Sequence, residues 1–244
     1  MLMPIGDDNS DRRLKPLINY LLIAANIFVF IFFQGLGTNE KFTYAFSTVP
    51  EEIVSGKDVV TEDQMYEDPV TGERFRVSGL QPTPISVYIT LITSMFMHGG
   101  FTHIFGNMLF LMIFGDNIEN RLGHLRYLIF YLLVGIIASL AHVFVSVSLG
   151  SSTLIPSLGA SGAISGVLGG YLLLFPKRRV RVVMFYQIMV VPAIVAIGIW
   201  FAFQLINGIG ILGSSQGGGV AYGAHIGGFI AGLFLIKFFA IGRR

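Results

Sequence analysis

Six stretches of this chain are apolar enough, and roughly long enough, to cross a bilayer: about Leu17–Gln34, Phe101–Ile118, Leu125–Leu149, Gly159–Phe175, Val182–Ile211 and Val220–Ile241. A helix needs about 20 residues to cross about 30 Å of hydrocarbon. Lipid offers the backbone no hydrogen-bond partner, so such stretches satisfy their own peptide groups as helices, and the alternation of a β-barrel is absent. The expected fold is therefore an all-α polytopic membrane protein, a bundle of six transmembrane helices. Only 12% of the residues are charged, against about 25% in a soluble domain. That excludes an ordinary water-soluble globule, a disordered chain and a nucleic-acid binder built on a basic patch. The absence of cysteine excludes a disulfide framework, a thiolate nucleophile and a cysteine metal site.

The few charges orient the bundle. Arg12, Arg13 and Lys15 precede the first span, Arg121 and Arg126 separate the second from the third, and Lys177, Arg178, Arg179 and Arg181 separate the fourth from the fifth. Lys237, Arg243 and Arg244 close the sixth. The loops 147–158 and 212–219 carry no charge, and 35–86 carries four basic residues against nine acidic ones. Excess Lys and Arg marks the cytoplasmic side, so both termini are expected there. The first span lacks a small-residue cleavage site and is not a signal peptide. The expected layout is a cytoplasmic segment 1–16, a membrane domain 17–241 with one extracytoplasmic loop or hairpin at 35–86, and a cytoplasmic tail 242–244. With no targeting extension evident, the expected host is a bacterial plasma membrane.

Polar side chains inside spans are expensive, so each is a candidate functional residue. They are His98, His103, Asn107, His142, Ser161, Ser165, Gln204, Asn207 and His225. Ser161 lies 15 residues from Pro176, His225 17 residues before Gly242 and Asn107 14 residues before Arg121. At about 1.5 Å per residue these place Ser, His and Asn about 21–25 Å above the basic end. His103 lies one turn above Asn107 on the same face. His98 falls at or beyond the surface.

The chemistry of that level is nucleophilic. A serine hydroxyl becomes a nucleophile when a histidine accepts its proton. Ser161 opens the fourth span, so its N–H is one of the unpaired donors at a helix N-terminus, where the dipole favours an oxyanion. Asn107 and His103 supply further donors. No carboxylate lies at this depth, since Asp116 and Glu119 sit near the basic end, so the site reads as a Ser–His dyad. Gly162, Gly166 and Gly170 recur every four residues in the fourth span, as do Ala224, Gly228 and Gly232 in the sixth. Small faces of this kind let two helices pack closely, which would bring Ser161 to His225.

The segments His98-Gly-Gly-Phe-Thr-His103-Ile-Phe-Gly-Asn107, Gly115-Asp-Asn-Ile-Glu-Asn-Arg-Leu-Gly123, Gly159-Ala-Ser-Gly162 and Gly223-Ala-His-Ile-Gly-Gly228 resemble the rhomboid intramembrane serine proteases. With the six-span layout, the resemblance covers about 17–241. It implies Ser161 as nucleophile, His225 as general base, and His103 and Asn107 as oxyanion contacts. It implies cleavage of transmembrane proteins near their extracytoplasmic ends, with the fifth span and the loop after it as a gate. Two features depart from the family pattern. Many relatives carry, one turn after the nucleophile, an aromatic residue that stacks on the catalytic histidine; here that position is Ser165, itself one candidate to orient His225. The Trp-Arg pair common in the first loop is absent from 35–86.

Plainer readings stand beside these. Ser161 could be only a helix cap, His225 an interhelical hydrogen-bonding residue, and His103 and Asn107 loop supports. His142 reads as a packing histidine, Gln204 and Asn207 as interhelical or outer-surface residues, and Trp200 as packing or part of a lateral gate. Glu119 and Arg121 read as ties for the turn they flank. No His-Glu-x-x-His pattern points to a metal, no pair of deep aspartates is present, and no cofactor is implied. The expected partners are transmembrane protein substrates and the bilayer, with no nucleic acid and no metal. The alternative function is a catalytically silent relative that binds or chaperones transmembrane helices. A small-molecule transporter is disfavoured because the deep polar residues lie off the midplane and no repeat is seen.

Overall fold

Val134 of one helix, Gly166 of a second and Gly232 of a third meet at the centre of the molecule, and the spacing that small residues permit there sets the arrangement. The structure, a computed structural model, describes residues 3–67, 72, 74–148, 153–211 and 221–242. The uncharged 212–219 loop and Arg243 and Arg244 lie outside the described residues. Helices form at all six apolar runs: α1 (Leu17–Phe32), α5 (Phe101–Phe110) continuing through a π turn at Leu111–Gly115 into α6 (Asp116–Leu122), α7 (His124–Ser148), α8 (Ser161–Leu174), α9 (Ala193–Ile211) and α10 (Tyr222–Phe239).

By length and composition α7 and α10 can each cross a membrane. Val87–Phe96, which holds α4 (Thr90–Thr93), and Phe101–Leu122 pass only as a pair bent by 82°, and α1, α8 and Ala193–Gly208 of α9 are apolar but shorter. The surface is that of a bundle in lipid, with Phe144 71% and Phe234 70% exposed and no aqueous reason to be so.

Helix α8 is the axis. Its residues from Gly162 to Tyr171 are all buried, against α7 and α10. The small faces meet as their spacing predicts. A Cβ on Gly228 would lie 2.2 Å from the Gly162 carbonyl oxygen, and one on Gly232 would lie 1.9 Å from that of Gly166. No side chain fits at either place. Around this contact the core is aromatic and aliphatic: Tyr127, Phe130, Tyr131 and Val134 of α7 pack with Val167, Leu168 and Tyr171 of α8 and Phe229 and Ile236 of α10.

Two small sheets modify the all-helical expectation. At the C-terminal end of α8, β1 (Met3–Asp7), β4 (Arg179–Met184) and β5 (Gln187–Pro192) form an antiparallel sheet in the order β1-β4-β5. The β4–β5 turn is Phe185-Tyr186, both with positive φ, as a tight two-residue hairpin requires. The fifth span, expected from Val182, therefore begins as a helix only at Ala193. The preceding apolar run is rich in Val and Ile, whose branched Cβ favours strands. Residues 3–16 of the N-terminal segment are fastened to the bundle. Asp7 accepts hydrogen bonds from Tyr171 (2.5 Å) and Asn117 (2.7 Å), and Arg12 pairs with Asp116 at 2.7 Å.

Glu119 does more than tie its own turn. It lies beside His124, and its carboxylate accepts from the backbone N–H groups of Ile18 (2.9 Å) and Asn19 (2.7 Å). Glu119 thus caps the start of α1, whose own sequence supplies no capping side chain. The loop after α1 holds α2 (Glu40–Ala45), α3 (Pro50–Ser55) and the hairpin β2 (Gln64–Glu67) and β3 (Arg74–Val77). Buried Gln34 anchors it, donating to Thr43 Oγ1 (2.8 Å) and the His98 carbonyl (2.9 Å) and accepting from the His98 N–H (2.9 Å).

Candidate active site

The chain enters α8 through Gly159 and Ala160. Gly159 has φ +120°, and a Cβ there would lie 2.7 Å from His103 Nε2. Both the angle and the space require glycine. The Gly159 N–H donates to the Ser94 carbonyl at 2.8 Å, which fixes the approach. Ser161 is then the first residue of α8. Its N–H stands among the donors that have no intrahelical acceptor, at the positive end of the helix dipole.

His225 lies in the first turn of α10. The glycine contacts bring that turn against the start of α8, and His225 Nε2 is 2.8 Å from Ser161 Oγ. The other ring nitrogen, Nδ1, is 2.7 Å from Gln204 Oε1 on α9. Trp200, one turn before Gln204, has its ring 6.2 Å from that of His225.

Helix α5 supplies the facing wall. Asn107 is buried and its amide nitrogen has no hydrogen-bond partner, an uncommon state for a buried donor. The Gly99 N–H donates to His103 Nδ1 at 3.3 Å. A ring nitrogen that accepts there is unprotonated, so His103 Nε2, the nitrogen beside Gly159, carries the proton and is a donor. Ser161, His225, His103 and Asn107 all line one cavity of about 300 Å³, with Trp200 and Gln204 completing its wall. Serine, histidine and two candidate donors thus share one concave space.

The other deep polar residues are placed as follows. His98, expected at or beyond the surface, is fully buried, because the 82° bend folds its segment onto the bundle. Its ring meets His103 edge-on, with centroids 5.1 Å apart. Ser165 donates to the carbonyl of Ser161 at 2.6 Å, so its hydroxyl is engaged along its own helix and does not orient His225. His142 is half-buried on α7, and Asn207 is exposed and donates to the Phe203 carbonyl of its own helix at 2.7 Å. Sequence reasoning singled out Gln204 as a polar residue in an apolar span but did not join it to His225. Among the described residues, no group of three or more His, Asp or Glu is arranged to hold a metal ion.

Residues 86–241 match the family model described as the Rhomboid domain. The chain is 28% identical over 239 residues to the rhomboid protease GluP of Bacillus subtilis, covering 94% of this chain and 37% of that protein. It is 33% identical over 155 residues to the mitochondrial rhomboid protein 1 of Saccharomyces cerevisiae, covering 63% and 42%. It is also 33% identical over 155 residues to RHOMBOID-like protein 4 of Arabidopsis thaliana, covering 63% and 34%. The match thus spans less than half the length of these curated relatives. With the Rhomboid domain covering most of its length and apolar helices throughout, the chain belongs to the rhomboid family and is an integral membrane protein.

Proposed function

We propose that this protein is an intramembrane serine endopeptidase that cuts transmembrane proteins near the extracytoplasmic face of the bilayer. The observation that carries the reading is the 2.8 Å approach of Ser161 Oγ to His225 Nε2, beside a cavity lined by an unpartnered buried amide donor, Asn107. The Bacillus subtilis relative is named a rhomboid protease, which favours the same chemistry here.

In the reaction, Ser161 Oγ attacks the scissile carbonyl carbon as His225 Nε2 takes its proton. The carbonyl electron pair moves to oxygen, and the oxyanion is held by the Ser161 N–H, Asn107 Nδ2 and His103 Nε2. The imidazolium then gives its proton to the leaving amine, and water hydrolyses the acyl-enzyme by the same route in reverse. The site needs no cofactor or metal for these steps. We read the chain as six spans with the Lys- and Arg-rich ends and both termini in the cytoplasm, an arrangement that supports a cavity toward the extracytoplasmic side. We assign the membrane domain to 17–241 and its host to a bacterial plasma membrane.

The test is cleavage of a fluorescent transmembrane-helix reporter by purified protein in liposomes, wild type beside Ser161→Ala, with fluorophosphonate labelling in parallel. Cleavage and labelling by the wild type that vanish in Ser161→Ala are the expected result. Equal cleavage by both would refute the dyad. A wild type that neither cleaves nor labels would favour a silent binder of transmembrane helices.

A further inference from the structure

We propose that Gln204 is the positioning residue of His225, a role that puts part of the catalytic apparatus on α9. The inference rests on the protease reading and adds a third member to the Ser–His pair. The structure places Gln204 Oε1 2.7 Å from His225 Nδ1 and Ser161 Oγ 2.8 Å from Nε2, so both ring nitrogens are engaged and the ring plane is fixed between α8 and α9.

The chemistry selects one arrangement. A neutral imidazole carries one N–H, and the partner of one nitrogen decides which. With Oε1 facing the ring, Nδ1 holds the proton and donates it to Gln204. Nε2 is then bare and able to take the proton of Ser161. With the Gln204 amide reversed, its N–H would donate to Nδ1, the proton would sit on Nε2, and His225 could not act as base. The amide orientation that allows proton transfer is therefore the one in which Gln204 accepts. When the ring becomes an imidazolium, Nδ1–H keeps the same acceptor, so the new charge meets an oriented carbonyl dipole.

The use of an amide fits its surroundings. An ionised carboxylate at this depth would cost more to desolvate than a neutral side chain. Among the described residues, Gln204 alone is hydrogen-bonded to Nδ1 of His225. Ser165 is bonded to the Ser161 carbonyl, and of the two aromatic rings 6.2 Å from the imidazole one, Tyr222, stands edge-on from the histidine's own helix, while the other, Trp200, comes again from α9, one helical turn from Gln204. A displacement of α9 would remove from His225 both the Gln204 acceptor and the Trp200 ring.

The experiment uses the full chain in liposomes with Gln204→Met, which keeps the length and loses the acceptor, and Gln204→Glu, which keeps the acceptor and adds charge. Cleavage of the reporter is followed from pH 5 to 9 alongside thermal unfolding. The proposal expects Gln204→Met to lose about 10–100-fold in kcat, with KM within about threefold and an unchanged unfolding midpoint. It expects Gln204→Glu to recover most of kcat, with the acid limb of the profile moved upward because a nearby carboxylate favours the imidazolium. Gln204→Met with wild-type kcat and pH profile would overturn it, as would loss of activity in both variants together with a lowered unfolding midpoint. A readout free of catalysis separates this proposal from the protease reading. In 15N-histidine-labelled protein, with His225→Ala to assign the signal, Nδ1 of His225 is protonated in wild type and shifts toward a tautomer mixture in Gln204→Met. An unchanged tautomer would sink the proposal even if the wild type cleaves nothing.

Discussion

Gly228 is three residues beyond His225 on α10, and an added Cβ there would stand 2.2 Å from the carbonyl oxygen of Gly162, the residue after Ser161. Ordinary contact begins near 3.4 Å, so Gly228→Ala must push α10 from α8 by about 1.2 Å at the level of the dyad. Backbone opposes the new methyl, and backbone cannot rotate away as a side-chain tip could. Added to the 2.8 Å separation of Ser161 Oγ and His225 Nε2, that displacement stretches the pair to about 4 Å, beyond hydrogen-bond reach. A misplacement of about 1 Å costs an enzyme about 100-fold, and the overpacking costs about 1–3 kcal/mol of stability. The expected result is a loss of about 100-fold in single-turnover cleavage and a matching slowing of fluorophosphonate labelling, in protein that keeps its helicity. Gly198→Ala is the control, because a Cβ there meets nothing within 4 Å. Retention of cleavage within about threefold by folded Gly228→Ala would refute the view that this glycine contact sets the distance between nucleophile and base.

Three further predictions follow from other contacts. Asn107→Ala should lower kcat by about 100–1000-fold, as loss of one oxyanion donor does, with KM nearly unchanged; a KM effect alone would make Asn107 a substrate-binding or structural residue. Glu119→Ala should leave two backbone N–H groups at the start of α1 without their charged acceptor, at a cost of about 2–4 kcal/mol; its unfolding midpoint in detergent should fall while kcat well below that temperature stays near wild type. Burial raises the Asp7 carboxyl to about 7, with the Tyr171 hydrogen bond and Arg178 opposing and Asp116 reinforcing. The folded state then holds a proton that the unfolded state releases near pH 4, so this group's contribution to stability falls as pH rises from about 4 to about 7. Unfolding midpoints from pH 5 to 8 should slope downward in wild type relative to Asp7→Asn, and parallel profiles would show that Asp7 is ionised in the fold.

What the sequence discloses about this protein divides along a physical line. Depth along a helix follows from a fixed rise per residue, so Ser161, His225 and Asn107 could be set at one level by counting, and small residues at Gly162, Gly166, Gly228 and Gly232 announce the close approach that the structure contains. Contacts that depend on how a segment folds back, or on what a distant segment offers, carry no such signal. The run after Val182 is apolar in either a strand or a helix, and only pairing with Met3–Asp7 and Gln187–Pro192 makes it a strand. His98 is counted to the surface only if its segment continues straight, and the bend at Gly99-Gly100 buries it. Glu119 reads as a turn residue until Ile18 and Asn19 arrive from about a hundred positions away. Gln204 combines both difficulties. Its depth marks it as unusual, but its partner depends on where α9 begins and on how that helix is rotated, and both are set by the β4–β5 hairpin that precedes it. The hairpin ends at Pro192 and α9 starts at once with Ala193, so the sheet at the basic end fixes the phase of the helix that presents Gln204 to His225. By this route a substitution at Phe185 or Tyr186, neither of which lines the cavity, is expected to reach His225.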